Sequence, residues 1–195
     1  MEPVTRFEGV AAPLPLDNVD TDQIIPARFL RKPRDAEYQR WFFHDLRFAP
    51  DGAVLPAFVL NRPPFDAATI LVAGRNFGVG SSREAAVYAL QAFGIRAVIA
   101  ESFGDIHYSN ALKNGLLPIR LPHARVVALR DAAEGGQLRL RVDLERGVVV
   151  SPDGTEDAFA IPAFARDCLL RGLDEIGLTF THLPEIEAFE AARAA

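Results

Sequence analysis

Hydrophobic positions along the chain alternate between two periods. Residues 69–73 and 96–100 are short β-branched and apolar runs, and residues 84–93 between them have helical character, which predicts a strand–helix–strand unit. Residues 105–114 predict another helix, closed by Gly115, and residues 116–121 return as a strand or strand edge. Residues 138–144 run in clean period two and turn through Glu145-Arg146-Gly147 into Val148-Val149-Val150, an antiparallel hairpin. The prediction is therefore a mixed α/β fold with both parallel and antiparallel strand pairs.

The flanking segments are weaker signals. Residues 1–16 are punctuated by Pro13 and Pro15 and suggest an edge strand followed by a loop. Residues 18–26 suggest a polar turn, with or without Asx-type capping, into a short buried segment stopped by Pro26. Tyr38, Trp41, Phe42, Phe43, Leu46 and Phe48 predict a helix or helical turn packed on the core, and Phe58-Val59-Leu60 a short strand. A short helix is expected at 126–133. Pro162 suits a first helical position for a helix over 162–176, weakened at Gly172 and ended by Gly177, with Cys168 inside it as a small buried hydrophobe. A last helix, about 184–195, is expected to be peripheral.

Composition narrows the class. The 195 residues are 49% hydrophobic with net charge −5, enough for one sizeable core, so one domain over residues 1–195 is expected. The acidic balance offers no basic footprint for nucleic acid or an anionic membrane, and neither an export signal nor a spanning segment is visible, which gives a cytoplasmic expectation. One cysteine cannot supply the thiolates of an iron–sulfur cluster or a structural zinc, and His44, His107, His123 and His182 have no metal-ligand spacing; no metal is expected on this chain.

The candidate chemistry sits in Gly74 to Leu90, GRNFGVGSSREAAVYAL. Ser81 and Glu84 have capping-box spacing at the start of the predicted helix, whose free N–H groups, with Arg83, favour a bound carboxylate or phosphate. Three readings compete. The loop could be a capped βα connection with no ligand. It could be a dinucleotide site, with Gly78, Gly80 and then Glu101, but Arg83 stands where the third glycine belongs. It could perform acid–base work on a carboxylate substrate, with Arg83 as a bidentate carboxylate clamp beside the adjacent hydroxyls of Ser81 and Ser82, and one serine placed as a base whose alkoxide is held by N–H donors and a cation. Residues 27–34, with four cations in eight residues, are either a solvated loop or a second contact for an anion.

The motifs NVDTDQIIP at 18–26, NFGVGSSRE at 76–84, SFGDI at 102–106 and NGLLP at 114–118, with further matches at 143–145, Cys168 and 172–179, resemble the small subunits of 3-isopropylmalate dehydratase in the aconitase superfamily. The resemblance spans nearly the whole chain. It implies a swivelling three-layer β/β/α domain that closes over a large catalytic subunit carrying a [4Fe–4S] cluster, in a heterodimer acting on a small hydroxy-dicarboxylate. It implies that Ser81 removes the proton beside a carboxylate and that Arg83 and Ser82 bind the carboxylate. Phe29, Leu30, Arg31 and Lys32 would read the substrate's variable group, with Arg28 or Arg31 as anionic-group contacts. Leucine biosynthesis is the implied pathway. Val79 and Ala85 stand where familiar members have cysteine and histidine, so a sister hydro-lyase acting on a methyl- or dimethylmalate is the alternative, and a non-catalytic interaction module a further one.

Overall fold

The computed structural model describes residues 1–193. Strand β1 (Arg6–Pro13) is followed by two short helices, α1 (Thr21–Ile24) and α2 (His44–Arg47). The parallel unit is β2 (Ile70–Val72), α3 (Glu84–Phe93), β3 (Ala97–Ala100), α4 (Asp105–Lys113) and β4 (Leu117–Arg120), closed by α5 (His123–Ala133). Strands β5 (Arg139–Asp143), β6 (Val148–Val150) and β7 (Glu156–Ala158) come next, then helices α6 (Ala163–Arg171), α7 (Glu175–Phe180) and α8 (Leu183–Arg193). The seven strands lie in the order β4-β3-β2-β1-β5-β6-β7, parallel from β4 to β1 and antiparallel from β1 to β7. This is the mixed α/β class that the periodicity predicts.

β1 is not the edge strand expected from its prolines; it is the strand that joins the two halves of the sheet. Its first residues pair with β5 and alternate between exposed and buried, whereas Ala11–Pro13 pair with β2 and are buried throughout. One face of the antiparallel half is solvated, and both faces of the parallel half are covered. Ala11 N–H donates to the Leu138 carbonyl at 3.0 Å and Leu14 N–H to that of Val72 at 2.8 Å. By alternation the Pro13 nitrogen points to the β5 side, beyond the last β5 pair at Val10, so the proline removes no ladder bond.

The sheet separates two apolar clusters. Leu71, Val98 and Ala100 face Val87 and Leu90 of α3 together with Ile24, Ile25, Phe42 and Phe43. Ile70, Val72, Ala97 and Ile99 face Val126 and Leu129 of α5 and Leu169 of α6. Strands with large apolar residues on both faces read as continuous hydrophobic runs, as 69–73 and 96–100 do.

Other expectations need correction. Residues 38–48 do pack on the core as helical turns, but as two and not one continuous helix: a 3₁₀ turn (Tyr38–Trp41) and α2, separated by Phe43 in a left-handed conformation (φ 48°). Residues 58–60 form no strand; Val59–Asn61 is a 3₁₀ turn. The helix expected over 162–176 is two helices. Pro162 is its N-cap, Gly172 ends α6 at φ 69°, and Asp174 caps α7 by accepting from Gly177 N–H at 2.6 Å, so Gly177 lies inside a helix. α5 begins at His123, three residues earlier than expected, and β7 was not legible in the period-two signal. The last helix is peripheral, without a buried residue, and the Ala194–Ala195 end of that prediction lies outside the described residues.

Candidate active site

Three separated segments converge beyond the carboxyl end of β2. Residues 74–83 leave the sheet and are held on one side by residues 16–21: Gly78 N–H donates to the Val19 carbonyl at 2.7 Å, Thr21 N–H to that of Val79 at 2.9 Å, and Asn76 Nδ2 to Asn18 Oδ1 at 2.9 Å. On the other side Phe77 N–H donates to the Ser102 carbonyl at 3.0 Å and Gly104 N–H to that of Phe77 at 2.9 Å. These are the NVDTDQIIP, NFGVGSSRE and SFGDI motifs, brought into one place. Val79 contributes through its backbone carbonyl here, which leaves the identity of its side chain free of that task.

Ser81 and Ser82 are exposed at the tip of this loop. The Ser81 carbonyl accepts from the buried Thr21 hydroxyl at 3.0 Å, while its own Oγ has no partner among the described residues. The expected Ser81–Glu84 capping box does not form. Arg83 is the N-cap of α3 with no side-chain cap, and Glu84 accepts from Asn114 Nδ2 at 2.7 Å instead. A capping box does form at α1, where Asp20 accepts from Gln23 N–H at 2.7 Å and Gln23 accepts from Asp20 N–H at 2.9 Å. The uncapped end of α3 leaves the N–H groups of Ser82, Arg83 and Glu84 without acceptors among the described residues, beside two free hydroxyls. That is a donor array suited to an anion.

Arg83 is the cation of this array, its side chain 14% exposed. It forms an ion pair with Asp22, yet its buried Nη1 lacks a well-directed hydrogen bond. Asp22 holds the guanidinium charged, and Arg83 in turn lowers the Asp22 carboxyl pKa against the opposing effect of desolvation. Asp22 also accepts from Ala27 N–H at 3.1 Å, so it connects the arginine to the basic segment 27–34. The roles of Thr21 and Asp22 are not legible in the sequence, although both lie in the NVDTDQIIP motif, because their partners are about 60 residues away along the chain.

Segment 27–34 divides its residues between holding and reaching. Phe29 is buried and stacks on Trp41 with centroids 4.2 Å apart. Arg28 donates to Asp45 Oδ2 at 2.9 Å and lies over the Phe29 ring, and Lys32 is 5.5 Å from the Trp41 ring. Arg34 lies 3.8 Å over Tyr88 of α3. Leu30 and Arg31 are exposed between these anchors. Of the five residues singled out in this loop, then, these two reach outward and Arg28, Phe29 and Lys32 shape it.

His107 stands in no spacing that marks it in the sequence; it is 3% exposed, with neither ring nitrogen partnered among the described residues. It packs edge-on to Phe77 and beneath Gly78, where an added Cβ would lie 2.3 Å from its Cγ. Burial depresses its pKa to about 4. A histidine that stays neutral in the folded state but binds a proton when unfolded destabilises the fold as pH falls from about 6.5 toward 4, by up to about 3 kcal/mol. Urea melts at pH 7 and pH 4.5 should therefore show a smaller acid loss for His107→Leu than for the parent chain.

The Aconitase C-terminal domain model matches residues 1–124. The 3-isopropylmalate dehydratase small subunit of Rhodospirillum rubrum is 50% identical over 195 residues, covering 100% of this chain and 94% of that one. The small subunit of Gluconacetobacter diazotrophicus is 52% identical over 194 residues, covering 99% and 94%. The chain belongs to the 3-isopropylmalate dehydratase small-subunit family. A crystal structure of 3-isopropylmalate dehydratase from Methanocaldococcus jannaschii, 26% identical, superposes with a TM-score of 0.64 and covers 96% of this chain and 99% of that one. Similarity to the dehydratase small subunits thus continues through α6, α7 and α8, well past the end of the domain match.

Proposed function

We propose that the chain is the small subunit of a two-subunit hydro-lyase that interconverts 2-isopropylmalate and 3-isopropylmalate in leucine biosynthesis, in the cytoplasm. The observation that carries the chemistry is the Ser81 hydroxyl, exposed and without a partner among the described residues, on the loop that leads directly into the uncapped N-terminus of α3 and Arg83. A serine hydroxyl is a weak base in water; adjacent N–H donors and a fixed cation stabilise its alkoxide. Ser81, as its alkoxide, takes the proton from the carbon beside a carboxylate, the C–H electron pair becomes the alkene bond, and the hydroxyl on the neighbouring carbon departs with its C–O electron pair as hydroxide, which a Lewis acid supplied by the large subunit would accept. Readdition of water with the two positions exchanged gives the isomer. Arg83 and Ser82 bind the carboxylate, and Leu30 and Arg31 meet the variable side group, on a loop shaped by Arg28, Phe29 and Lys32.

The donor set of this chain does not fit an iron–sulfur cluster. Its one thiol, Cys168, is buried in α6 with its pKa raised by desolvation, and no group of three metal-ligating side chains occurs among the described residues. We assign the [4Fe–4S] cluster to the large subunit, the other half of the heterodimer.

Anaerobic co-expression with the cognate large subunit, followed by an ultraviolet assay of alkene formation, tests this reading. Turnover of 3-isopropylmalate that needs both chains is expected. Turnover confined to methyl- or dimethylmalate would make the chain part of a sister hydro-lyase, and no turnover of any such diacid would leave a non-catalytic module. Arg83→Lys should raise KM by roughly 10- to 100-fold with a smaller change in kcat, because a point charge cannot reproduce the planar fork. Unchanged steady-state constants would remove Arg83 from the site.

A further inference from the structure

Five of the nine large apolar side chains that the described residues expose are Phe164, Ile176, Phe180, Leu183 and Phe189, each 42% to 66% exposed. Single exposed hydrophobics are ordinary; five on three consecutive helices, α6 to α8, are not. Neither α7 nor α8 has a buried residue. A helix of the 11 residues of α8 is marginal alone in water and is normally held by packing one apolar side. At 100° per residue, Leu183, Ile186 and Phe189 fall within an arc of about 120° on α8. Ile176 and Phe180 stand one turn apart on α7. Next to them a cleft of about 300 Å³ opens between α4 and α6, lined by Tyr108, Leu112, Phe164, Cys168 and Leu173. It is suited to an apolar anchor side chain from another molecule.

Charge selects the occupant. Residues 174–193 carry Asp174, Glu175, Glu185, Glu187 and Glu190 against one arginine, Arg193, and Lys113, the cation that lines the cleft, is paired with Glu175 at 3.0 Å. Two copies of the chain face to face would set these carboxylates against one another, whereas a basic rim would complement them. The surface lies at the Lys113 end of α4, and the Gly78 loop meets the other end at Gly104. We infer that α7, α8 and the adjoining cleft dock the large subunit, through an apolar segment of that subunit flanked by lysine or arginine. The inference rests on the two-subunit reading above.

The test is titration calorimetry of the full chain against its cognate large subunit, with Phe180→Asp/Phe189→Asp and, separately, Ile176→Asp. Binding at least 30-fold weaker for the double variant is expected, with parental affinity falling as salt is added and the melting curve of the lone chain unchanged, since these side chains are exposed. The single α7 variant should weaken binding in the same direction. Affinities within threefold of the parent would overturn the inference. So would a lone parental chain that sediments as a dimer and is dissociated by the double substitution while the two-subunit complex is unaffected. Binding is read apart from turnover: a pair that binds through this surface but leaves isopropylmalate unchanged sinks the dehydratase reading alone, and a parental chain that does not bind overturns both.

Discussion

Ser81→Ala is expected to lower turnover of the two-subunit enzyme by roughly 10²- to 10⁴-fold, the range that a positioned general base contributes. KM and the affinity for the large subunit should change little. The substitution is clean because the fold uses Ser81 through its backbone: the carbonyl accepts from Thr21 Oγ1 at 3.0 Å, and the hydroxyl holds nothing among the described residues. The loop is expected to keep its shape with alanine, so lost turnover would report lost chemistry. Steady-state kinetics of the reconstituted pair, with circular dichroism of the variant, decide it. Near-parental turnover would exclude Ser81 as the base and move attention to Ser82, the other exposed hydroxyl at the loop tip.

Gly78→Ala should produce a large loss of stability, about 3 kcal/mol, from two causes that add. Gly78 has φ 75°, a conformation that costs an L-residue about 1–2 kcal/mol. Its Cβ would also lie 2.3 Å from His107 Cγ in a packed site, and overpacking of that kind costs about 1–3 kcal/mol. For a domain of this size that corresponds to a fall in Tm of about 6–12 °C, measurable by calorimetry. Turnover should fall as well, since the same loop carries Ser81. Combining Gly78→Ala with His107→Ala apportions the causes in part: the second change removes the ring contacts at 2.3 and 2.4 Å, and leaves the backbone cost together with the 2.7 Å approach to the Cβ of residue 107. A melting temperature equal to the parent's for Gly78→Ala alone would mean that the loop does not pack on His107.

The glycines of the central stretch were legible as a loop, yet their purpose was not. Sequence alone suggests a turn before a capped helix; the structure shows Gly78 admitting His107 from α4 and the cap absent at α3. The capping box that does form, Asp20 with Gln23, has equally good spacing, three residues apart before a buried pair of isoleucines. Local spacing fits both sites equally. What separates them is where each helix begins and what surrounds it: α3 starts at Glu84 itself, with Arg83 as N-cap, and Asn114, 30 residues onward, claims the Glu84 carboxylate, whereas Gln23 is the third residue of α1 and its side chain has no other partner among the described residues.

By itself the sequence determined the strands of the parallel unit, α3 and α4 within a residue or so, the β5–β6 hairpin, and the candidate Ser81-Ser82-Arg83. Hydrophobic period and glycine placement are local signals, and these elements are built from local interactions. Tertiary structure alone decided that β1 bridges the two halves of the sheet, that Gly172 ends a helix, and that Asp22 meets Arg83 and His107 lies under Gly78. It also decided which residues of 27–34 point outward. Each of these depends on partners brought together across the sheet or over tens of residues, where the period of a single segment carries no information about its neighbour.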